Sequence, residues 1–187
     1  MKRKKILLVE DQALLALDES RTIEKHGFEV ITACVPEDAL EYVQNDPEIS
    51  LVLMDVDLGR GVSGTDVARH ILQLREIPIV FLTNHAEREI VEKVRDITRY
   101  GYVLKNSGEF VLIESINMAF ELFEAHRALD ENRRFLSAVM QNLRIGVVAC
   151  DSHGHLTFFN NRMVDFHKAP QKHIPPEKWA EQYNLFL

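Results

Sequence analysis

Short apolar runs separated by amphipathic stretches divide the first part of the chain into repeating units. Residues 6–9 (ILLV), 30–33 (VITA), 51–54 (LVLM), 79–82 (IVFL) and 102–104 (YVL) read as strands. Several of these runs are continuous rather than alternating, as strands buried on both faces of a parallel sheet must be. Between them lie helix-length patterns. Leu14, Leu15, Leu17 and Ile23 fit one face of a helix ended by His26-Gly27, and Pro36-Glu37-Asp38 reads as the first turn of a second. Val67, Ala68, Ile71 and Leu72, then Ile90, Val91, Val94 and Ile97, supply the apolar faces of two more. Strand and helix alternating through short connections predict an α/β fold, a five-stranded parallel sheet wound on both faces by helices.

From Ser107 the pattern changes to one long helix of ~40 residues, well beyond the usual globular length. Val111, Leu112, Ile113 and Ile116 form a face broad enough to pack on the sheet. Further on, Met118, Leu122, Ala125, Leu129, Asn132, Leu136, Val139 and Leu143 follow alternating four- and three-residue steps. Such spacing is a heptad seam, and the expectation is a parallel coiled-coil homodimer, set against a single helix lying on its own C-terminal domain. After Gly146 the segments 147–150 and 156–159 read as a β-hairpin, with Gly154 able to take positive φ in the turn. The division expected is therefore a domain over 1–122, a linker helix over 107–143 that overlaps its last helix, and a partial domain over 144–187.

Composition narrows the function classes. A hydrophobic share of 46% beside 27% charged residues is that of a globular chain with a sizeable core. The net charge of −7 argues against a direct nucleic-acid-binding face, which wants a basic stripe. The one basic run, Lys2-Arg3-Lys4-Lys5, reads as a charged tail ahead of a strand. No apolar stretch approaches the ~20 residues of a membrane span, so a cytoplasmic protein is expected. Cys34 and Cys150 stand far apart in apolar surroundings and are expected to be buried free thiols.

In an open parallel sheet, ligands sit at the carboxyl ends of the strands. That rule selects Glu10-Asp11, Asp55-Val56-Asp57, Thr83-Asn84 and Lys105. Clustered carboxylates repel one another unless a cation joins them, and Mg²⁺ (or Mn²⁺) is the natural guest for oxygen ligands. With one carboxylate as nucleophile, the metal neutralises an incoming phosphoryl group while a lysine and a hydroxyl hold its remaining oxygens. The product is an aspartyl phosphate. Each residue alone has a plainer reading: Asp55 or Asp57 as a loop carboxylate or helix cap, Thr83 as a cap, Lys105 as a solvated charge. Their shared edge favours the chemistry.

Residues 4 to about 122 resemble the response-regulator receiver domain of two-component signalling, a flavodoxin-like fold, in the pair Glu10-Asp11, "LVLMDVDLG" around Asp55, "VFLTN" at Thr83 and "GYVLK" at Lys105. The resemblance implies that Asp55 accepts a phosphoryl group from a histidine kinase or phosphotransfer protein. It implies Mg²⁺ held by Asp11, Asp55 and the backbone carbonyl of Asp57, with Glu10 assisting through water, and a switch pair Thr83 and Tyr102 that reshapes the face of the fourth helix, fourth strand and fifth helix. Asp57, Asn84 and His85 lie where the family tunes dephosphorylation. Three departures stand out: Asn106 in place of the usual proline, Asn84 in place of a small residue, and a longer loop "LGRGVSG". The C-terminal "GVVACDSHGHLTFFNNRM" and "PPEKWAEQY" resemble the first part of a PAS (sensory box) domain, whose ligand is not readable. Phe158-Phe159 reads as core.

Two other functions compete. Haloacid-dehalogenase-like phosphatases also use DxD after a strand and a later threonine, but their acidic metal pair follows the lysine, whereas Glu10-Asp11 come first here. A degenerate receiver serving only as an interaction module is opposed by the complete set of five site residues. The expected protein takes part in its own phosphorylation and dephosphorylation without being a turnover enzyme, and any output enzyme lies beyond residue 187.

Overall fold

A computed structural model describes residues 3–59, 61–84, 97–98, 100–168 and 176–179. The helix expected from Ile90, Val91 and Val94, the Lys2 end of the basic tail and most of 171–187 lie outside the described residues. The elements are β1 (Lys5–Val9), α1 (Ala13–Lys25), β2 (Glu29–Ala33), α2 (Pro36–Asn45), β3 (Ile49–Asp55), α3 (Gly64–Leu74), β4 (Ile79–Thr83), β5 (Tyr102–Leu104), α4 (Glu109–Asn142), β6 (Val148–Cys150), β7 (Leu156–Phe159) and α5 (Asn161–His167). A short 3₁₀ turn covers Pro176–Lys178.

All five expected strands form, in one sheet of order β2-β1-β3-β4-β5 with every pair parallel. The apolar runs fill both faces because successive side chains alternate. Leu7, Val9, Val52, Met54 and Phe81 pack on one side with Ala39, Val43, Val67, Ala68 and Ile71 of α2 and α3. Ile6, Leu8, Leu51, Leu53 and Leu82 face the other way, against Ala16 and Ile23 of α1 and Ile113, Ile116, Ala119 and Phe120 of α4. The strands' carboxyl ends therefore share one edge, supported on both faces by dry core.

Three expectations change. The α1 face is set by Ala16 and Ile23, one heptad apart, while Leu14 is 83% exposed and Leu15 and Leu17 also reach solvent. Small Ala16 joins Ile23 against the sheet, and the leucine-rich first turn projects away from it. The long helix begins at Glu109 rather than Ser107 and ends at Asn142, leaving Leu143 outside it. Gly108 causes the later start, since its φ of +90° interrupts helical backbone. Both thiols are free, as expected, but both are exposed: Cys34 follows the end of β2 and Cys150 lies on a two-stranded hairpin.

The chain divides into two compact units, Met1–His126 and Arg127–Leu187. In the second, β6 and β7 pair antiparallel, and Gly154 takes φ +79° in the turn between them. Fully buried Asn160 organises this unit. Its Oδ1 accepts from the N–H of Val147 at 2.9 Å and of Met163 at 3.1 Å, and its Nδ2 donates to the carbonyls of Met140 at 3.0 Å and Ile145 at 2.9 Å. Every hydrogen-bonding site of that amide is used, which is what burying it requires. Leu156 and Phe159 form the small core with Met163, Val164 and Trp179.

Candidate phosphoryl-acceptor site

The four strand-end segments converge as expected. Glu10 follows β1, Asp55 ends β3, Thr83 ends β4 and Lys105 follows β5. Glu10 is 0% exposed, Asp55 4% and Thr83 3%. The parallel ladder sets their spacing: Asp55 lies across from Leu82, and the Lys105 N–H donates to the Thr83 carbonyl at 3.0 Å.

Lys105 is the hub. Its Nζ donates to Asp55 Oδ2 at 2.7 Å and to Glu10 Oε2, with its side chain 5% exposed. Burial alone pulls the Lys105 ammonium down, but the hydrogen bonds to Asp55 and Glu10 and their charges outweigh it and hold the group above the usual lysine value. For Glu10 burial is the largest influence and pushes its carboxyl up. Asp55's charge adds to that push, against the Lys105 hydrogen bond. A single ammonium thus holds together two carboxylates that would otherwise repel in a dry site.

Asp11 completes the cluster. Ligand oxygens of Glu10, Asp11 and Asp55 all lie within 4.8 Å of one another. Asp11 Oδ1 is buried without a hydrogen-bond partner among the described residues, an unusual state for a carboxylate oxygen. Beside it, Gly59 takes φ +67°, and a Cβ there would stand 2.6 Å from Asp11 Oδ2. An orphaned oxygen in a space kept open by glycine, flanked by two more carboxylates, fits a hard divalent cation such as Mg²⁺.

The loop after β3 is built to return to the site. Asp57 and Ser63 pair in an isolated antiparallel bridge, Leu58 N–H donates to Val62 O at 3.2 Å, and Gly64 N–H donates to Val56 O at 2.9 Å. Asp57 N–H donates to Asp55 Oδ1 at 3.2 Å, which orients that carboxylate. The Asp57 side chain accepts from the Gly59 N–H at 3.1 Å, so it shapes the loop that passes Asp11. Asn84 is exposed at the rim and Tyr102 is 42% exposed on β5, while His85 lies outside the described residues. On α4 the seam positions Leu122, Ala125, Leu129, Asn132, Leu136 and Val139 are exposed.

Two residues escaped the reading of strand ends. Gly64 lies with its Cα against the Asp55 carbonyl, a contact that no local pattern signals. Glu19, on α1, has a buried Oε2 with no partner among the described residues, and burial pushes its carboxyl up to about 7. A charged residue in an amphipathic helix reads as solvated until the partner sheet is in place.

A five-stranded doubly wound sheet with a buried carboxylate, lysine and hydroxyl at one edge defines a receiver-type signalling fold. Residues 6–117 match the response regulator receiver domain family, and the chain belongs to it. It is 31% identical over 144 residues to the transcriptional regulatory protein PdtaR of Mycobacterium tuberculosis, covering 76% of this chain and 69% of that protein. Among solved structures it resembles the N-terminal domain of a response regulator/sensory box/GGDEF 3-domain protein of Carboxydothermus hydrogenoformans. That likeness has 44% identity and a TM-score of 0.61, over 66% of this chain and 98% of that one. A solved fusion carrying amino acids 181–211 of the yeast Spc42 trimeric coiled coil is 41% identical with a TM-score of 0.66, over 74% of this chain and 95% of that one. Membership in the receiver family removes the dehalogenase-like reading. Among the described residues no helix is long and apolar enough to cross a membrane.

Proposed function

We propose that this chain accepts a phosphoryl group on Asp55 from a histidine kinase or phosphotransfer protein. The observation that carries the reading is the buried bridge of Lys105 between Asp55 and Glu10, beside the orphaned oxygen of Asp11. An Asp55 Oδ–P bond forms as the bond from phosphorus to the donor atom breaks, and the donor leaves with the electron pair. Lys105 supplies fixed positive charge to the phosphoryl oxygens, and the Thr83 hydroxyl, at the end of the neighbouring strand, donates to one of them as the Tyr102 ring turns inward. Asp11, Asp55 and the Asp57 carbonyl would hold Mg²⁺ (or Mn²⁺), Glu10 through water, and that ion would neutralise charge building up on the transferred group. Asp57, Asn84 and His85 would tune hydrolysis of the product.

The test is incubation with acetyl phosphate and Mg²⁺. Wild type is expected to gain one acid-labile phosphoryl group by intact-mass measurement, and Asp55→Asn to gain none. Labelling that survives in Asp55→Asn would place the acceptor elsewhere, and a wild type that never labels would return the chain to a plain interaction module.

Residues 1–122 then form the receiver, 107–143 a linker and 144–187 the beginning of a PAS domain, which the β6–β7 hairpin followed by capping Asn160 supports. The exposed heptad positions of α4 support pairing of two chains along Leu122, Ala125, Leu129, Asn132, Leu136, Val139 and Leu143, with phosphorylation altering that pairing. Sedimentation velocity is expected to give a dimer for wild type and a monomer for the double variant Leu129→Glu/Leu136→Glu. A wild-type monomer at tens of micromolar, or an oligomer unaffected by both charges, would discard the seam.

A further inference from the structure

Behind the acceptor site, α1, the strand ends and the start of α4 enclose a cavity of about 310 Å³ whose wall includes Asp18, Glu19, Thr22, Lys105, Glu109 and Leu112. Among the described residues Lys105 is the one cation in that wall. Its Nζ is committed to Glu10 and Asp55, which leaves the buried Glu19 Oε2 with no hydrogen-bond donor among the described residues. A buried carboxylate oxygen without a partner is costly, and nothing in the receiver chemistry above uses it.

We propose that Glu19 is a positioning residue for phosphoryl acceptance at Asp55: from the cavity side of Lys105 its ionised carboxylate competes for the lysine's charge and slows acceptance. The inference rests on the phosphoacceptor reading. When Glu19 carries a proton, Lys105 serves Glu10, Asp55 and the incoming phosphoryl oxygens alone. When Glu19 ionises, a further negative charge acts on the same ammonium and on the approaching phosphoryl anion. The groups that bear on Glu19 are Lys105, Glu10 and Asp55 at the strand ends, and Asp18 beside it on α1. Glu109 faces the same cavity from α4, with Lys25 and His26 as its own partners.

Burial holds Glu19 up at about 7, so the change falls near neutral pH. The sign follows from charge. Raising pH ionises Glu19 and lowers the rate.

The experiment measures the rate constant of acetyl phosphate labelling of the full chain, with Mg²⁺, from about pH 6 to about pH 8. Wild type is expected to slow roughly three- to tenfold across that span. Glu19→Gln, isosteric and never charged, is expected to label at the fast rate throughout, and Glu19→Asp to keep a slope. As a second readout, the Glu19 side-chain carboxyl signal in carbon NMR of wild type should titrate near neutral pH rather than in the ordinary carboxylate range. An identical slope in wild type and Glu19→Gln, or a Glu19 signal that titrates as an ordinary carboxyl, would overturn the inference while leaving Asp55 as acceptor. A wild type that fails to label at any pH would overturn the acceptor reading itself and this inference with it.

Discussion

Gly64→Ala is expected to destabilise the protein by about 3 kcal/mol or more and to slow labelling of Asp55 at least tenfold. A Cβ at Gly64 would lie 1.8 Å from the Asp55 carbonyl oxygen, 2.9 Å from its carbonyl carbon and 3.1 Å from Met54 Cγ. Two of those atoms are backbone and have no rotamer in which to escape. Relief requires either the end of β3 or the start of α3 to move. Both are tied, because Gly64 N–H donates to Val56 O at 2.9 Å and the Ser63 hydroxyl caps α3 by accepting from Thr65 N–H at 3.3 Å. Whichever yields, the Asp55 carboxylate shifts from Lys105, so stability and labelling fall together. Urea unfolding and intact-mass kinetics measure the two effects. A variant within about 0.5 kcal/mol of wild type that labels at the wild-type rate would show that α3 can lift without disturbing Asp55.

Lys105→Met keeps the length of the side chain and removes its charge. Glu10 and Asp55 are then two buried carboxylates facing one another without a cation, and breaking such a set costs about 3–5 kcal/mol. The loss depends on pH in a definite direction. Glu10's carboxyl already lies above its ordinary value, and losing Lys105 drives it further up. A raised carboxyl favours the fold below its unfolded value and loses that contribution as pH rises through the folded one. The variant's deficit should therefore be small in acid and grow toward neutral pH. Lys105 is itself raised, so its contribution to the wild type persists through neutral pH and disappears only in alkali. Mg²⁺ held at the folded site would add positive charge to the same carboxylates. Thermal unfolding in chelator and in Mg²⁺ should thus show a larger upward shift for Lys105→Met than for wild type. Equal shifts would mean that Lys105 and the divalent cation do not share Glu10 and Asp55.

The sheet and the edge that gathers the candidate site residues were readable from pattern because the determinants are local. Residues 6–9 and 51–54 are apolar at consecutive positions, which only burial on both faces rewards, and they occupy adjacent parallel strands. Once the strands are placed, Glu10, Asp55, Thr83 and Lys105 must emerge at the same edge, since parallel strands end together. The faces of the helices were less legible. Leu14 and Leu17 look like the core face of α1, yet small Ala16, together with Ile23, packs on the sheet. Mean apolarity along a helix does not reveal how closely its backbone approaches the sheet, and close approach selects a small residue. The exposure of Cys34 and Cys150 has a related cause: their neighbours are apolar in sequence, while burial depends on what covers them in space.

Strand order along the chain, the convergence of four chemical segments on one edge and the long helix after them follow from the amino-acid pattern, because periodicity and connection length leave few other foldings. Tertiary packing alone decided that Lys105 bridges Glu10 and Asp55, that Gly64 must lack a side chain and that Glu19 Oε2 is buried. Each of these depends on distances between residues remote in sequence, such as Glu10 and Lys105. Desolvation and steric exclusion at such pairs arise only when the packed sheet and helices remove water from between them.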